Sequence, residues 1–311
     1  MDDYEPSRET LAAIAARHGV DIEEVRAAPP GGANHVFHLG DDLVLRIPRA
    51  ERFVADLVKE ALVIPAVRRA GVRTPDVVTF DDTRSMADMP YMVLVRAPGT
   101  DLAQAQLPRA EANTVFQQAG RELATLHRLS ASAEPGLSAV PEDDGGGDPR
   151  ALVDRLFVKG WIDIEASRWL TDWFDRLSAY LPTDKPRVLV HGDIAPQNLL
   201  VSRSAPALTG IVDWGDAQWA DPAIEFAKTP LTGIPAMLEG YRQGSGEGTP
   251  AEVGSWEARV LWFHLTWALG RLLHPVPKPG ERHWTAPPTS RLLGLLRFFA
   301  STPPEPWTNL V

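Results

Sequence analysis

No cysteine occurs anywhere in the chain. Disulfides, thiolate metal sites and cysteine nucleophiles are therefore excluded, and the composition is compatible with a reducing compartment. A basic excess is also missing: Lys and Arg number 31 against 41 Asp and Glu, a net charge of −10. Nucleic acids and anionic membranes are bound through basic surfaces, so neither is expected as a partner. A cationic small molecule stays allowed, although plain solubility is sufficient reason for the acidic surplus. No uncharged apolar run approaches the ~20 residues of a membrane span. Met1-Asp2-Asp3 opens the chain without the basic-then-apolar pattern of a signal peptide. The expected location is the cytoplasm. Two further scarcities are local: Lys59 is the only lysine before Lys159, and all ten tryptophans lie from Trp161 onward.

What is present is ordinary globular material. With 311 residues, 44% of them hydrophobic, the chain is long enough for one large or two moderate cores. Leu11, Ile14, Ala15 and His18 recur at helical spacing over residues 7–18. Val36–Leu39 and Leu43–Ile47 flank Gly40-Asp41-Asp42 and read as a hairpin. Residues 51–70 carry Phe53, Leu57, Ile64 and Val67 on one helical face, with Gly71 as a stop signal. Pro65 inside that pattern predicts a kink or an early end. Two more strands are expected at Asp76–Phe80 and Tyr91–Val95. Pro98-Gly99 breaks the pattern, which sets a boundary between residues 1–97 and 98–311. Beyond it the periodicity is mostly helical: 114–129, 150–180, 231–242, 252–273 and 290–299. Residues 131–149, with Gly145-Gly146-Gly147, read as a loop. The fold class expected is α+β, a small antiparallel sheet carrying one main helix followed by a larger, mostly helical part.

The chemistry is concentrated in one stretch. An aliphatic run ends at Val190, His191-Gly192-Asp193 follows, and a second run starts just after Asn198. A third apolar run ends in Val212-Asp213-Trp214-Gly215. Two carboxylates and an amide at strand ends are what phosphoryl transfer needs. Asp193 would face an acceptor hydroxyl, and Asn198 and Asp213 would give Mg²⁺ hard oxygen donors. A lone His-x-Asp is a weak signal; joined to Asn198 and to the apolar-Asp-Trp-Gly it is a strong one. The competing reading is that these groups are polar loop caps and turn formers. Gly31-Gly32-Ala33-Asn34 lies upstream of the hairpin, although it is not a GxxxxGK[ST] phosphate loop and a Gly-Gly after Pro-Pro is often just a turn.

His191-Gly192-Asp193 with Asn198, and Ile211-Val212-Asp213-Trp214-Gly215, resemble the catalytic and metal-binding loops of the aminoglycoside phosphotransferase family. Gly31–Leu39, Leu43–Pro48, Tyr91–Gly99 and Asp221–Phe226 fall in the family's order, so the resemblance covers roughly residues 25–275. It implies a two-lobed protein-kinase-like fold: an N-terminal nucleotide-binding lobe (1–97) and a C-terminal catalytic and substrate-binding lobe (98–311). The implied cofactors are ATP or GTP with Mg²⁺. Asp193 resembles the catalytic aspartate, and Asn198 and Asp213 the metal ligands. His191 resembles a loop organiser, and Asp221 an anchor of the catalytic segment or a helix cap. Gly31, Gly32 and Asn34 would cover the phosphates. Arg46 stands where the kinase fold has a phosphate-contacting lysine, with Glu60 as its ion-pair partner. A guanidinium keeps the charge and grips phosphate bidentately, but with a different shape. Tyr91 to Arg96 resembles the strand and linker that hold the purine, with Met92, Val93, Leu94 and Val95 as the candidate contacts and backbone groups there reading the base edge.

The resemblance leaves the acceptor open. Glu225, Glu239, Glu252 and Glu257 are candidates for binding ammonium groups, and Trp262 and His264 for bordering the pocket. Trp256, Trp262 and Trp267 are otherwise large side chains filling a helical core. The expected function is a small-molecule O-kinase acting on an antibiotic of aminoglycoside, macrolide or cationic-peptide type, conferring resistance. A metabolic kinase of an amino alcohol, amino acid or sugar is the alternative within the enzyme class. An inactive nucleotide-binding pseudokinase is the alternative outside it, with Arg46 as the feature in its favour.

Overall fold

The computed structural model describes residues 4–28, 32–143, 147–181, 187–245 and 255–273, with 294, 295, 297, 298 and 307. The chain opens with α1 (Arg8–Arg17), whose Ser7 side chain accepts from the Thr10 amide and so satisfies one of the free N–H groups of the first turn. Strands β1 (Val25–Ala27), β2 (Asn34–Leu39) and β3 (Leu43–Pro48) follow, then α2 (Val54–Arg69), β4 (Val77–Asp81) and β5 (Tyr91–Val95). The five strands form one antiparallel sheet in the order β1-β2-β3-β5-β4. The expected hairpin is β2–β3. Helix α2 runs through Pro65 to Arg69, so the proline does not end it early.

Side-chain alternation gives this sheet two different faces. Leu45 and Ile47 of β3 and Tyr91 and Val93 of β5 pack with Ile14 and Ala15 of α1 in a small core of their own. Met92 and Leu94 point the other way, into the main core with Leu57, Ile64 and Val67 of α2. Arg46 lies between Leu45 and Ile47 and thus shares the α2 face.

The C-terminal part contains β6 (Thr100–Asp101), the helices α3 (Arg109–Leu126), α4 (Pro149–Val158) and α5 (Ile164–Ser178), and β7 (Val188–Val190), β8 (Leu199–Val201), β9 (Leu208–Ile211) and β10 (Gln218–Ala220). Helices α6 (Ile234–Ser245) and α7 (Ser255–Arg271) follow. A small antiparallel sheet and a helical region thus give the α+β architecture expected. Helices α3 and α6 cross in backbone contact: a Cβ on Gly120 would lie 2.0 Å from the Met237 carbonyl oxygen, and one on Gly240 1.9 Å from that of Gln117. The main core runs on from α2 through α3, α5 and α7, so one apolar body joins the two parts. Among the described residues no helix is long and apolar enough to cross a membrane. Most of the helix expected at 290–299, Gly145-Gly146 of the expected loop, and Glu252 lie outside the described residues.

Two short ladders frame the chemistry. Strand β7 pairs with β10, and β8 pairs with β6 and β9. The segment from His191 to Asn198 therefore leaves one ladder and enters another.

Candidate active site

The turn out of β7 depends on Gly192. Its φ is +79°, and a Cβ there would sit 2.4 Å from the carbonyl oxygen of Asp216, so both the left-handed backbone and the close approach require glycine. His191 then staples the loop. Its Nδ1 accepts from the Asp193 amide at 3.1 Å, and its Nε2 lies 3.0 Å from the carbonyl oxygen of Val212. The pair fits the neutral tautomer with the proton on Nε2, a ring committed on both sides and placed 4.5 Å from the Trp214 ring. This is the organising geometry expected of His191.

Asn198 is buried. Its Nδ2 donates to the backbone oxygen and to Oδ2 of Asp193, both at 2.8 Å. Both N–H groups are thereby spent on Asp193, leaving Oδ1 as the amide's oxygen donor for a cation. The Val212 amide bonds the Asn198 carbonyl at 3.0 Å, which holds the two loops side by side. Asp213 follows in the left-handed region (φ 72°, ψ 68°), a conformation that costs a non-glycine residue energy and is concentrated at functional sites. Arg46 Nη2 donates to Asp213 Oδ1 at 2.8 Å, and Nη1 pairs with Glu60 Oε2. The expected Arg46–Glu60 pair is present, with Asp213 as a third member. Burial pushes the Glu60 carboxyl up to about 8 against the opposing pull of Arg46, with Asp213 adding to the rise.

Sequence reasoning missed Lys228. Its Nζ lies 2.9 Å from Asp193 Oδ1 and 3.1 Å from Asp216 Oδ2. Burial raises the Asp193 carboxyl above the ordinary carboxylate range, and Lys228 opposes that rise. Burial also works against the charge on Lys228, but Asp193 and Asp216 outweigh it and hold its pKa above the usual lysine value. No spacing signal links positions 193 and 228. They meet because the 3₁₀ segment Pro222–Lys228 folds back under β7.

Glu225 requires a correction. Instead of facing an acceptor's ammonium groups, it is 1% exposed, and its two carboxylate oxygens accept from the backbone amides of His191 and Gly192, the second at 3.2 Å. A carboxylate spent on the amides of the loop after β7 has no face left for a ligand. His127, from the end of α3, stands 3.6 Å from the same carboxylate. Asp221, expected as an anchor or a cap, accepts from the Ala223 amide at 2.8 Å, a cap's bond, and pairs with Arg259 of α7, a tie between elements. Glu239 is exposed on α6 and accepts from Gln243 at 3.1 Å. Trp262 packs edge-on against Phe174, with ring centroids 5.1 Å apart. Trp256 lies against Phe226 and Tyr241. Neither Glu239 nor Trp262 reaches the cavity beside the catalytic loop, whereas His264 lines it.

On the nucleotide side the base-reading strand also needs correcting. β5 is interior, between β3 and β4, so the backbone groups of Met92, Val93 and Leu94 are directed into those ladders, and the Val95 amide bonds the Asp76 carbonyl at 2.8 Å. Met92 is fully buried in the main core. Backbone free to meet a base edge must lie past the strand, toward Ala97. Gly32 is exposed, Asn34 begins β2 with its Oδ1 buried and unpartnered among the described residues, and Gly31 lies outside them.

The donor set fits Mg²⁺. Asn198 and Asp213 offer hard oxygens on adjoining loops, and among the described residues no cluster of three or more His, Asp or Glu could hold a metal without help. A two-ligand site completed by phosphate and water is how Mg²⁺ is usually held.

The chain matches the model of the phosphotransferase enzyme family (APH) over residues 24–259. It is 28% identical over 194 residues to the uncharacterized protein YcbJ of Bacillus subtilis (strain 168), covering 59% of this chain and 60% of that protein. It is 28% identical over 172 residues to viomycin phosphotransferase of Streptomyces vinaceus, covering 50% and 55%. The matched stretch thus spans under two thirds of these relatives' lengths. Among solved structures, the GDP and kanamycin complex of APH(2")-IIia superposes with a TM-score of 0.70 at 21% identity, covering 94% of this chain and 98% of that one; this likeness is one of fold.

Proposed function

We propose, from the premise that this chain belongs to the phosphotransferase enzyme family matched over residues 24–259, that it is a Mg²⁺-dependent O-kinase transferring the γ-phosphoryl group of ATP or GTP to a hydroxyl of a small organic molecule. The nucleotide lies between the lobes 1–97 and 98–311, its base edge met by backbone just past β5. Arg46, fixed by Glu60, faces the phosphates, and the stretch that enters β2, with Gly32 and Asn34, covers them. Asn198 and Asp213 would hold Mg²⁺, which when bound would supply charge neutralisation at the phosphates. The acceptor hydroxyl sits at Asp193. Its oxygen forms the new bond to the γ-phosphorus as the bond to the nucleoside diphosphate breaks, and its proton passes to the Asp193 carboxylate. Lys228 keeps that carboxylate in place.

The observation that carries this reading is the Asp193–Asn198–Asp213 constellation. Asn198 bonds both oxygen types of Asp193, and its own carbonyl bonds the amide before Asp213. An antibiotic as acceptor is the reading supported by the likeness to viomycin phosphotransferase. The test is transfer from γ-labelled ATP and GTP to a panel of hydroxylated antibiotics and metabolites. Asp193→Asn should lower turnover by roughly 10²–10⁴-fold, the range of general acid–base catalysis, with nucleotide affinity within about twofold. Undiminished turnover in that variant would overturn the assignment.

A further inference from the structure

A cavity of about 660 Å³ opens beside the catalytic loop, bounded by Pro196 and Gln197 on the loop side and by Lys228 next to Asp193. That size is drug-like and far larger than a simple amino alcohol needs. Its walls are apolar: Leu102 and Leu107 before α3, Phe116 on α3, Leu231 after Lys228, and Phe298 and Trp307 near the end of the chain. The polar lining is neutral or basic, with Gln106, Thr229, Thr232 and His264 beside Lys228 and Arg297. Among the described residues no carboxylate lines it. The described acidic candidates are elsewhere: Glu225 under the loop, Glu239 on the outer face of α6, and Glu257 buried against Arg242. One further group is unspent. Trp307 is fully buried, and its Nε1–H has no hydrogen-bond partner among the described residues. A buried donor left unpaired is costly unless a ligand completes it.

We infer that the acceptor is a bulky, largely apolar and uncharged alcohol carrying a carbonyl or ether oxygen for Trp307, and not a polycation. A polycationic acceptor would surrender the hydration of several ammonium groups to a largely apolar wall on which none of the described residues is a carboxylate. An uncharged acceptor loses little hydration and covers the apolar wall with its body. This inference rests on the kinase reading of the site, since it takes the cavity next to Asp193 as the acceptor's.

The full-length protein, with Mg²⁺ and a non-hydrolysable ATP or GTP analogue, is titrated with uncharged hydroxylated steroids, lactones and aryl alcohols and with kanamycin, streptomycin and spermidine. Binding is followed by intrinsic tryptophan fluorescence and thermal shift, and phosphate transfer is scored separately with γ-labelled nucleotide. Uncharged members of the panel should bind at least tenfold more tightly than any polycation. Leu231→Asp, at the partly exposed rim, should reverse that order, and Trp307→Phe should weaken oxygen-bearing ligands about tenfold while keeping the ring. Tighter binding of a polycation, or silence of the whole uncharged panel, overturns the inference. Uncharged compounds that bind the cavity but never take phosphate leave the inference on the cavity standing and remove the kinase reading; phosphorylated kanamycin does the reverse.

Discussion

Two cations are each held between two carboxylates. Arg46 joins Glu60 of α2 to Asp213, and Lys228 joins Asp216 to Asp193. In each trio one carboxylate belongs to the proposed chemistry and the other supports the cation. The difference lies in the supporter: Glu60 is 1% exposed and Asp216 58%. The first trio is sealed and ties β3 and α2 of the N-terminal sheet to the loop after β9. The second is open on one side and belongs wholly to the C-terminal part. A sealed trio fixes geometry at a desolvation cost, whereas an open one leaves its cation able to answer to a ligand.

Removing the centre of the sealed trio should have the largest effect. Arg46→Met leaves Glu60 and Asp213 facing each other without a cation in a buried site. Losing one partner of a buried pair costs about 3–5 kcal/mol, so denaturant unfolding should show a loss of that size. Nucleotide affinity should fall with it. A loss under about 1 kcal/mol would show that the trio is not sealed in solution.

Glu60 offers a second way to sharpen the contrast, through pH. Its carboxyl is raised by burial to about 8, above its unfolded value, so the folded state binds the proton more tightly. The stability it contributes is therefore fully present below the unfolded pKa and is lost as pH rises through about 8. The nucleotide-free protein should lose stability between pH 5 and 8, by at most about 1.4 kcal/mol per pH unit from this group. Glu60→Gln should flatten that slope. A wild-type stability that rises over this window, unchanged in the variant, would contradict the burial of the carboxyl.

Much of the sealed trio was legible in the sequence and much of the open one was not. Arg46 sits in a β-rich run, Glu60 on a periodic helix and Asp213 at the end of an apolar run, so local pattern assigns each to an element, and the family resemblance supplies the expectation that Arg46 and Glu60 meet. Asp193 and Asn198 announce themselves by spacing within a single loop. Lys228 and Glu225 have no such signal, because a 3₁₀ segment lacks the 3.6-residue period that would reveal which face it buries. Glu225 read as an acceptor contact because a carboxylate in a helical region looks solvent-facing until a backbone amide is found above it. The strand Met92–Val95 misled for a related reason. Its apolar run identifies a strand but not whether it is an edge or the interior of the sheet, and only pairing with both β3 and β4 shows that its backbone is spent. Of the clustered tryptophans, Trp256 is core and Trp262 is partly buried against it, while Trp307, outside any periodic run, lines the cavity.

The open trio should give the smallest stability change and the clearest kinetic one. Lys228→Met removes the ammonium 2.9 Å from Asp193 Oδ1, so the carboxylate keeps its Asn198 bond through Oδ2 but loses the contact that aims Oδ1 at the acceptor hydroxyl. The expected result is a fall in kcat of about tenfold, near 1.4 kcal/mol in the barrier, with the KM for nucleotide unchanged. Lys228→Arg keeps the charge and should restore part of the rate. Asp216→Asn tests the supporter alone. Because that carboxylate is largely exposed, its pair with Lys228 is screened by solvent and worth no more than about 1 kcal/mol, and the variant should keep both stability and most of kcat. If Asp216→Asn lost as much activity as Lys228→Met, the ammonium would depend on its exposed partner as Arg46 depends on Glu60, and the two trios would be alike after all.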